Sequence, residues 1–141
     1  MPGLLSMYGR DAVLGAFFTP ELTVPPDTLW IALCTVVPTP GDTGSDLLEP
    51  DDEAYSRAAY PTGGDWWAPT GRGGITNTQE VFFPSPAADW GLIEGWALCD
   101  DTTGGQTFYV GDFLVPERII YDADNPRAWG LGAGGLVVKQ T

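Results

Sequence analysis

The chain has no histidine, only six lysines and arginines, and two cysteines among its 141 residues. Without histidine, the side chain most used near neutral pH for proton transfer and for zinc binding is missing. No G-x-S-x-G, no Gly-rich phosphate loop ending in Lys-Ser or Lys-Thr, and no cysteine pair at zinc spacing is present. Carboxylates remain, in pairs such as Asp100 with Asp101 or Asp89 with Glu94. Glycoside hydrolysis requires two carboxyls at a set separation in a cleft, which sequence spacing does not establish. The chain therefore reads as non-enzymatic, with no cofactor and no resident metal.

The scarcity of positive charge is equally restrictive. Six basic residues against nineteen acidic ones give a formal net charge of −13. Such a surface repels phosphate, so neither nucleic acid nor an anionic membrane is expected as a partner, whereas a basic protein surface or divalent cations suit it. No cationic segment precedes a long apolar run, which predicts neither a secretory signal nor a membrane span and implies folding in the cytoplasm. Cys34 and Cys99 each end an apolar run, Leu29 to Cys34 and Trp96 to Cys99. They read either as small buried hydrophobes or, if those strands are neighbours, as a pair.

What the chain does have is glycine, proline and aromatic surface: nineteen Gly, thirteen Pro, six Trp, and a hydrophobic fraction of 43%. That is too apolar for disorder and too rich in helix breakers for a bundle. It suits short strands joined by tight turns. The length is that of one domain. Residues 1–28 read as an N-terminal helix or docking arm and 29–141 as a β-sandwich. Leu5, Tyr8, Ala12 and Ala16 recur at helical spacing, with Leu4, Val13 and Phe17 alongside, while Gly9 and Gly15 weaken the helix. This segment either caps one end of the sandwich or docks onto a neighbouring subunit.

Pro20, Pro25 and Pro26 lead into a first strand, Leu29 to Val37, whose continuous apolar character predicts burial on both faces. Pro38 to Glu53 carries five Gly or Pro and six acidic residues and reads as a long acidic surface loop. Further strands are expected at Tyr55 to Tyr60, Ile75 to Thr78, Glu80 to Phe83, Leu92 to Cys99, Thr107 to Leu114, Arg118 to Tyr121 and Leu136 to Lys139. Between them lie Gly63-Gly64, Gly71 with Gly73-Gly74, the hairpin turn Asp100 to Gly105, and the Asp124-Asn125-Pro126 corner. The fold expected is all-β, a compact antiparallel sandwich of about eight strands, jelly-roll or immunoglobulin-like, with a short N-terminal helix or arm.

Two local features bear on ligands. Asp122, Asp124 and Asn125 place three oxygen-bearing side chains together, either a hard-cation site or an Asx-stabilised turn. Trp66-Trp67, Trp90, Trp96 and Trp129 offer aromatic faces that serve either as core and interface or as sugar-stacking platforms. If Trp66 and Trp67 are adjacent strand residues they point to opposite faces, and one ring meets a loop or a partner.

The order of landmarks is also informative. Tyr55-Ser56-Arg57, Trp66-Trp67, Asn77, Phe82-Phe83-Pro84, Ala88-Asp89-Trp90-Gly91, the run into Asp100, and Thr103-Gly104-Gly105 follow one another in this order. Together they resemble a family of small tailed-bacteriophage virion structural proteins, often labelled tail fibre or minor head or tail proteins. The resemblance runs from Leu29 to Val138. It implies a virion protein that binds other virion proteins, the major capsid protein or tail proteins, and forms a homo-oligomer with a three-fold as its natural symmetry. The expectation from a short, acidic, repeat-free chain is an accessory head protein decorating the capsid. The alternative is a tail-tip or fibre-associated module contacting a host receptor or glycan. Candidate interface residues are Leu5, Tyr8, Phe17 and Phe18 on the arm, Trp66 and Trp67, and Asp51, Asp52 and Glu53 on the acidic loop.

Overall fold

In a computed structural model the described residues are 4–19, 26–63, 65–71, 74–124, 130–132 and 137–139. Pro20, Pro25, Gly64, Gly73, Asn125, Pro126, Trp129 and the start of the last expected strand lie outside them. Among the described residues the strands are β1 (Leu4–Leu5), β2 (Thr28–Cys34), β3 (Ala58–Pro61), β4 (Trp67–Pro69), β5 (Gly74–Asn77), β6 (Val81–Phe82), β7 (Gly91–Cys99), β8 (Thr107–Ile119), β9 (Gly130–Leu131) and β10 (Val137–Lys139), with one helix, α1 (Met7–Phe18). They form an antiparallel five-stranded sheet of order β1-β8-β7-β2-β3, a three-stranded sheet β10-β5-β4 and a β6-β9 pair. This is the all-β sandwich expected, with unequal layers.

Alternation along β2 explains the layering, because successive side chains of a strand face opposite sides. Leu29, Ile31 and Leu33 point to one side, where Tyr60, Trp96, Leu98, Val81, Phe83, Trp90, Leu131 and Val138 complete the main core. Ala32 and Cys34 point to the other side with Ala97, Cys99 and Val110. The small sheets cover the first face. The second carries chiefly small side chains, and irregular chain can lie close on it: Leu47, from the segment between β2 and β3, is its cover. The double-sided burial expected of the first strand is thus present from Ile31 to Cys34.

Cys34 lies opposite Gly95, and Cys99 opposite Trp30. Four residue steps along neighbouring strands separate the two cysteines by about 13 Å, well beyond disulfide reach. Both are buried free thiols, and burial pushes both up, Cys99 to about 12. Strand β8 joins two segments expected to be separate. Its register with β7 jumps from Asp112 opposite Gly95 to Glu117 opposite Ile93. Pro116 falls in that irregular stretch, where a missing N–H breaks no ladder bond. The β7–β8 hairpin turns as expected, with Gly104 and Gly105 at φ 57° and 73°.

The N-terminal segment adds to the main sheet. Leu4 and Leu5 pair with Val110 and Tyr109 of β8. Ser6, buried, is the N-cap of α1: its Oγ accepts from Gly9 N at 2.8 Å and donates to the Thr107 carbonyl, while its own N–H donates to Phe108 O at 2.8 Å. Gly9 is what lets the helix approach, since a Cβ there would overlap the Phe108 carbonyl. Replacing Ser6 with alanine should lower stability by about 1–2 kcal/mol through loss of the cap, read as a reduced midpoint in chemical denaturation.

Candidate interaction surface

The acidic segment between β2 and β3 is fixed from inside. Arg57, 5% exposed, donates from Nε to Glu49 Oε1 at 2.9 Å and from Nη2 to Glu49 Oε2 at 3.0 Å, a two-pronged ion pair. Nη1 donates to the carbonyls of Asp101 and Gly104, both at 2.9 Å, and Nη2 to Gly44 O at 3.0 Å. All five guanidinium N–H groups are therefore used. Glu49 Oε1 also accepts from the Tyr55 hydroxyl at 2.7 Å, and that hydroxyl accepts from Leu33 N at 3.0 Å, past the end of the β2–β3 ladder. Burial and the neighbouring Glu49 push the Tyr55 phenol far above its usual range, so it stays a donor.

Asp52 is a second anchor. Its Oδ2 accepts from Trp90 Nε1 at 2.7 Å, Ala87 N at 2.8 Å and Ala88 N at 3.2 Å, and its Oδ1 from Ala54 N at 3.1 Å. Desolvation would raise its pKa; these hydrogen bonds, that from Trp90 foremost, outweigh desolvation and hold it at about 2. Of the acidic residues singled out from sequence, Asp52 is engaged within the chain, while Asp51 and Glu53 are exposed on either side of it.

The tryptophan pair is divided differently from a strand alternation. Trp66 precedes β4, and both rings meet Tyr60 edge-on, Trp66 at 5.3 Å and Trp67 at 5.0 Å between centroids. Trp67 Nε1 donates to Pro61 O at 2.9 Å, and its ring lines an apolar cavity of about 400 Å³ with Leu29, Ile75, Leu98, Tyr109 and Val138. Trp66 is the more open of the two rings. Asp122 Oδ1 accepts from Asp124 N at 3.0 Å, an Asx turn.

The arm residues lie on one short helix with two unlike sides. Tyr8 meets Phe108 ring to ring at 5.3 Å, and Gly9, Ala12 and Ala16 face inward. Leu5 is half-buried in β1. Outward stand Met7, Leu14, Phe17 and Phe18, 65%, 56%, 82% and 73% exposed. Sequence reasoning placed Phe17 and Phe18 at an interface but passed over Met7 and Leu14, whose spacing of seven was the available signal.

With this geometry in place the comparison with known families is decisive: the family model described as "Podophage GP4 fiber I protein gp80" matches residues 4–127. The chain belongs to this family. It is a phage fibre-type virion structural protein, and the matched span takes in β1, α1, the acidic segment and the whole β7–β8 hairpin. No curated protein matches the chain significantly.

Arg57→Met should cost about 3–5 kcal/mol, since it strands a partly buried Glu49. The double variant Glu49→Leu/Arg57→Met should cost less than the sum of the two single variants, a coupling that denaturant titration of all four proteins measures. Asp52 sets a pH window: unfolded carboxylates titrate near about 3.9, so its contribution is complete above that pH and is lost as pH falls towards about 2. In Asp52→Asn the acid-side loss of stability over that window should shrink, as thermal denaturation at stepped pH would reveal.

Proposed function

We propose that the protein is a non-catalytic module of the fibre apparatus at the phage tail, working by protein–protein packing. The family match over residues 4–127 carries this reading. The surface agrees with it in kind. The described polar interior is spent on holding loops to the sheet, through Arg57, Asp52 and Ser6, and α1 offers a contiguous apolar face suited to a protein partner. Capsid decoration, expected from compactness and acidity, has no comparable support. At Trp66-Trp67, Trp67 lines a mainly apolar cavity together with Thr62 and Tyr109, so a glycan platform there is the less favoured reading.

Assembly in the host cytoplasm and attachment to tail proteins complete the proposal. Cryo-electron microscopy of purified virions, with this chain fitted into the density, tests it. A few copies at the tail, in contact with fibre or tail proteins, are expected. Many copies on the capsid lattice would overturn the fibre placement.

A further inference from the structure

Strands of both layers close on one apolar space. Leu29 of β2, Leu98 of β7 and Tyr109 of β8 line it from the main sheet, and Trp67 of β4, Ile75 of β5 and Val138 of β10 from the three-stranded sheet. Leu98 lies opposite Tyr109, and Ile75 opposite Val138, so each wall contains neighbouring strands held in register. The volume is about 400 Å³, within the range of small-molecule sites and well above the roughly 150 Å³ that takes up one benzene ring. Thr62 and Gly63 complete the lining.

The chemistry of the lining decides the occupant. No charged side chain belongs to it. The Thr62 hydroxyl donates to Pro26 O at 2.6 Å and the Thr62 N–H to Asp27 O at 2.9 Å, while Trp67 Nε1 donates to Pro61 O at 2.9 Å. These donors are spent within the chain. A peptide segment or a sugar carries polar groups that must leave water to enter, and walls of this kind repay little of that cost. Water itself needs two or more polar partners to be held. A molecule without hydrogen-bonding groups has no such cost. Trp67 on one wall and Tyr109 on the other add ring surfaces against which a further aromatic ring packs favourably, offset or edge-on. We propose that this cavity between the layers is a binding site for an uncharged, apolar aromatic molecule of about two fused rings. The site lies inside the sandwich, so the proposal does not depend on where the protein sits on the phage particle.

The probe is naphthalene, titrated into the purified full chain beside naphthalene-2-sulfonate and N-acetyltryptophanamide. Naphthalene should raise the thermal midpoint in a saturable way. In NMR spectra it should shift the methyl resonances of Leu98 and Val138 and the indole N–H resonance of Trp67, and leave the methyls of Val110, on the opposite face of the main sheet, in place. The sulfonate, which carries a charge, and N-acetyltryptophanamide, a two-ring side chain with the polar groups of a peptide, should do neither at the same concentration. Ile75→Trp, at a position 39% exposed, adds a ring to the lining and should abolish the naphthalene response while the Val110 resonances stay native. Should that variant not fold, the wild-type resonance shifts decide alone. No response to naphthalene, shifts that fall outside the lining, or a folded Ile75→Trp that responds as the wild type does overturns the site. An equal response to either polar analogue overturns the apolar occupant, and N-acetyltryptophanamide in particular would point to a side chain of a protein partner.

Discussion

A buried guanidinium governs how this chain can fold. Among the described residues, one face of the main sheet is covered not by a second sheet but by irregular chain from the acidic segment between β2 and β3. Irregular chain brings unpaired carbonyls with it, and these are costly away from water. Arg57 answers that cost with the one side chain that carries five donors in a fixed fork, taking three carbonyls from two loops and both oxygens of Glu49. It thereby ties the acidic segment to the β7–β8 turn. Glu49 keeps the charge compensated, and Tyr55 passes the same network on to the backbone of β2 at Leu33.

The neighbouring contacts depend on this arrangement. Gly44, whose carbonyl Arg57 holds, donates its N–H to Gly105 O at 2.9 Å. The same segment supplies Pro40 O to the first N–H of α1 and Asp42 O to the Thr107 hydroxyl, at 2.9 and 2.7 Å. The helix is thus seated by the segment and by β8 together. Its orientation, and with it the direction in which Phe17 and Phe18 project, follows from a loop geometry set by a charge some forty residues further along the chain.

Much of this was legible in the residues and some was not. The apolar run of β2, the Gly-Gly hairpin and the helical spacing of the arm each reflect a local rule, and each element is present. The role of residues 38–53 was not legible, because composition marks a segment as irregular and acidic without saying that Leu47 and the carbonyls beneath it are buried. The length of β8 was hidden by Pro116, a strand breaker everywhere except in an irregular stretch or at an edge. The pairing of Trp66 and Trp67 around Tyr60 was hidden because alternation applies only within a strand, and Trp66 lies just before one. The double-sided character of α1 was half visible: the inward stripe was read, whereas Met7 and Leu14 were passed over.

The landmarks that carry the family resemblance take on a common meaning in the structure. Tyr55 and Arg57 form the buried network, and Asn77 donates to the carbonyls of Gln79 and Gly132 at 2.9 and 3.0 Å. Trp90 is held by Asp52, Asp89 accepts from Tyr121 N, and Gly91 and Gly104-Gly105 supply positive φ. These residues fasten loops to sheets, and their polar atoms are engaged within the chain. A signature made of such residues specifies a rigid shape and leaves the outer surface free to differ. For a structural protein that division is physically sensible: the interior network fixes where each surface points, and the excess of negative charge discourages indiscriminate contact.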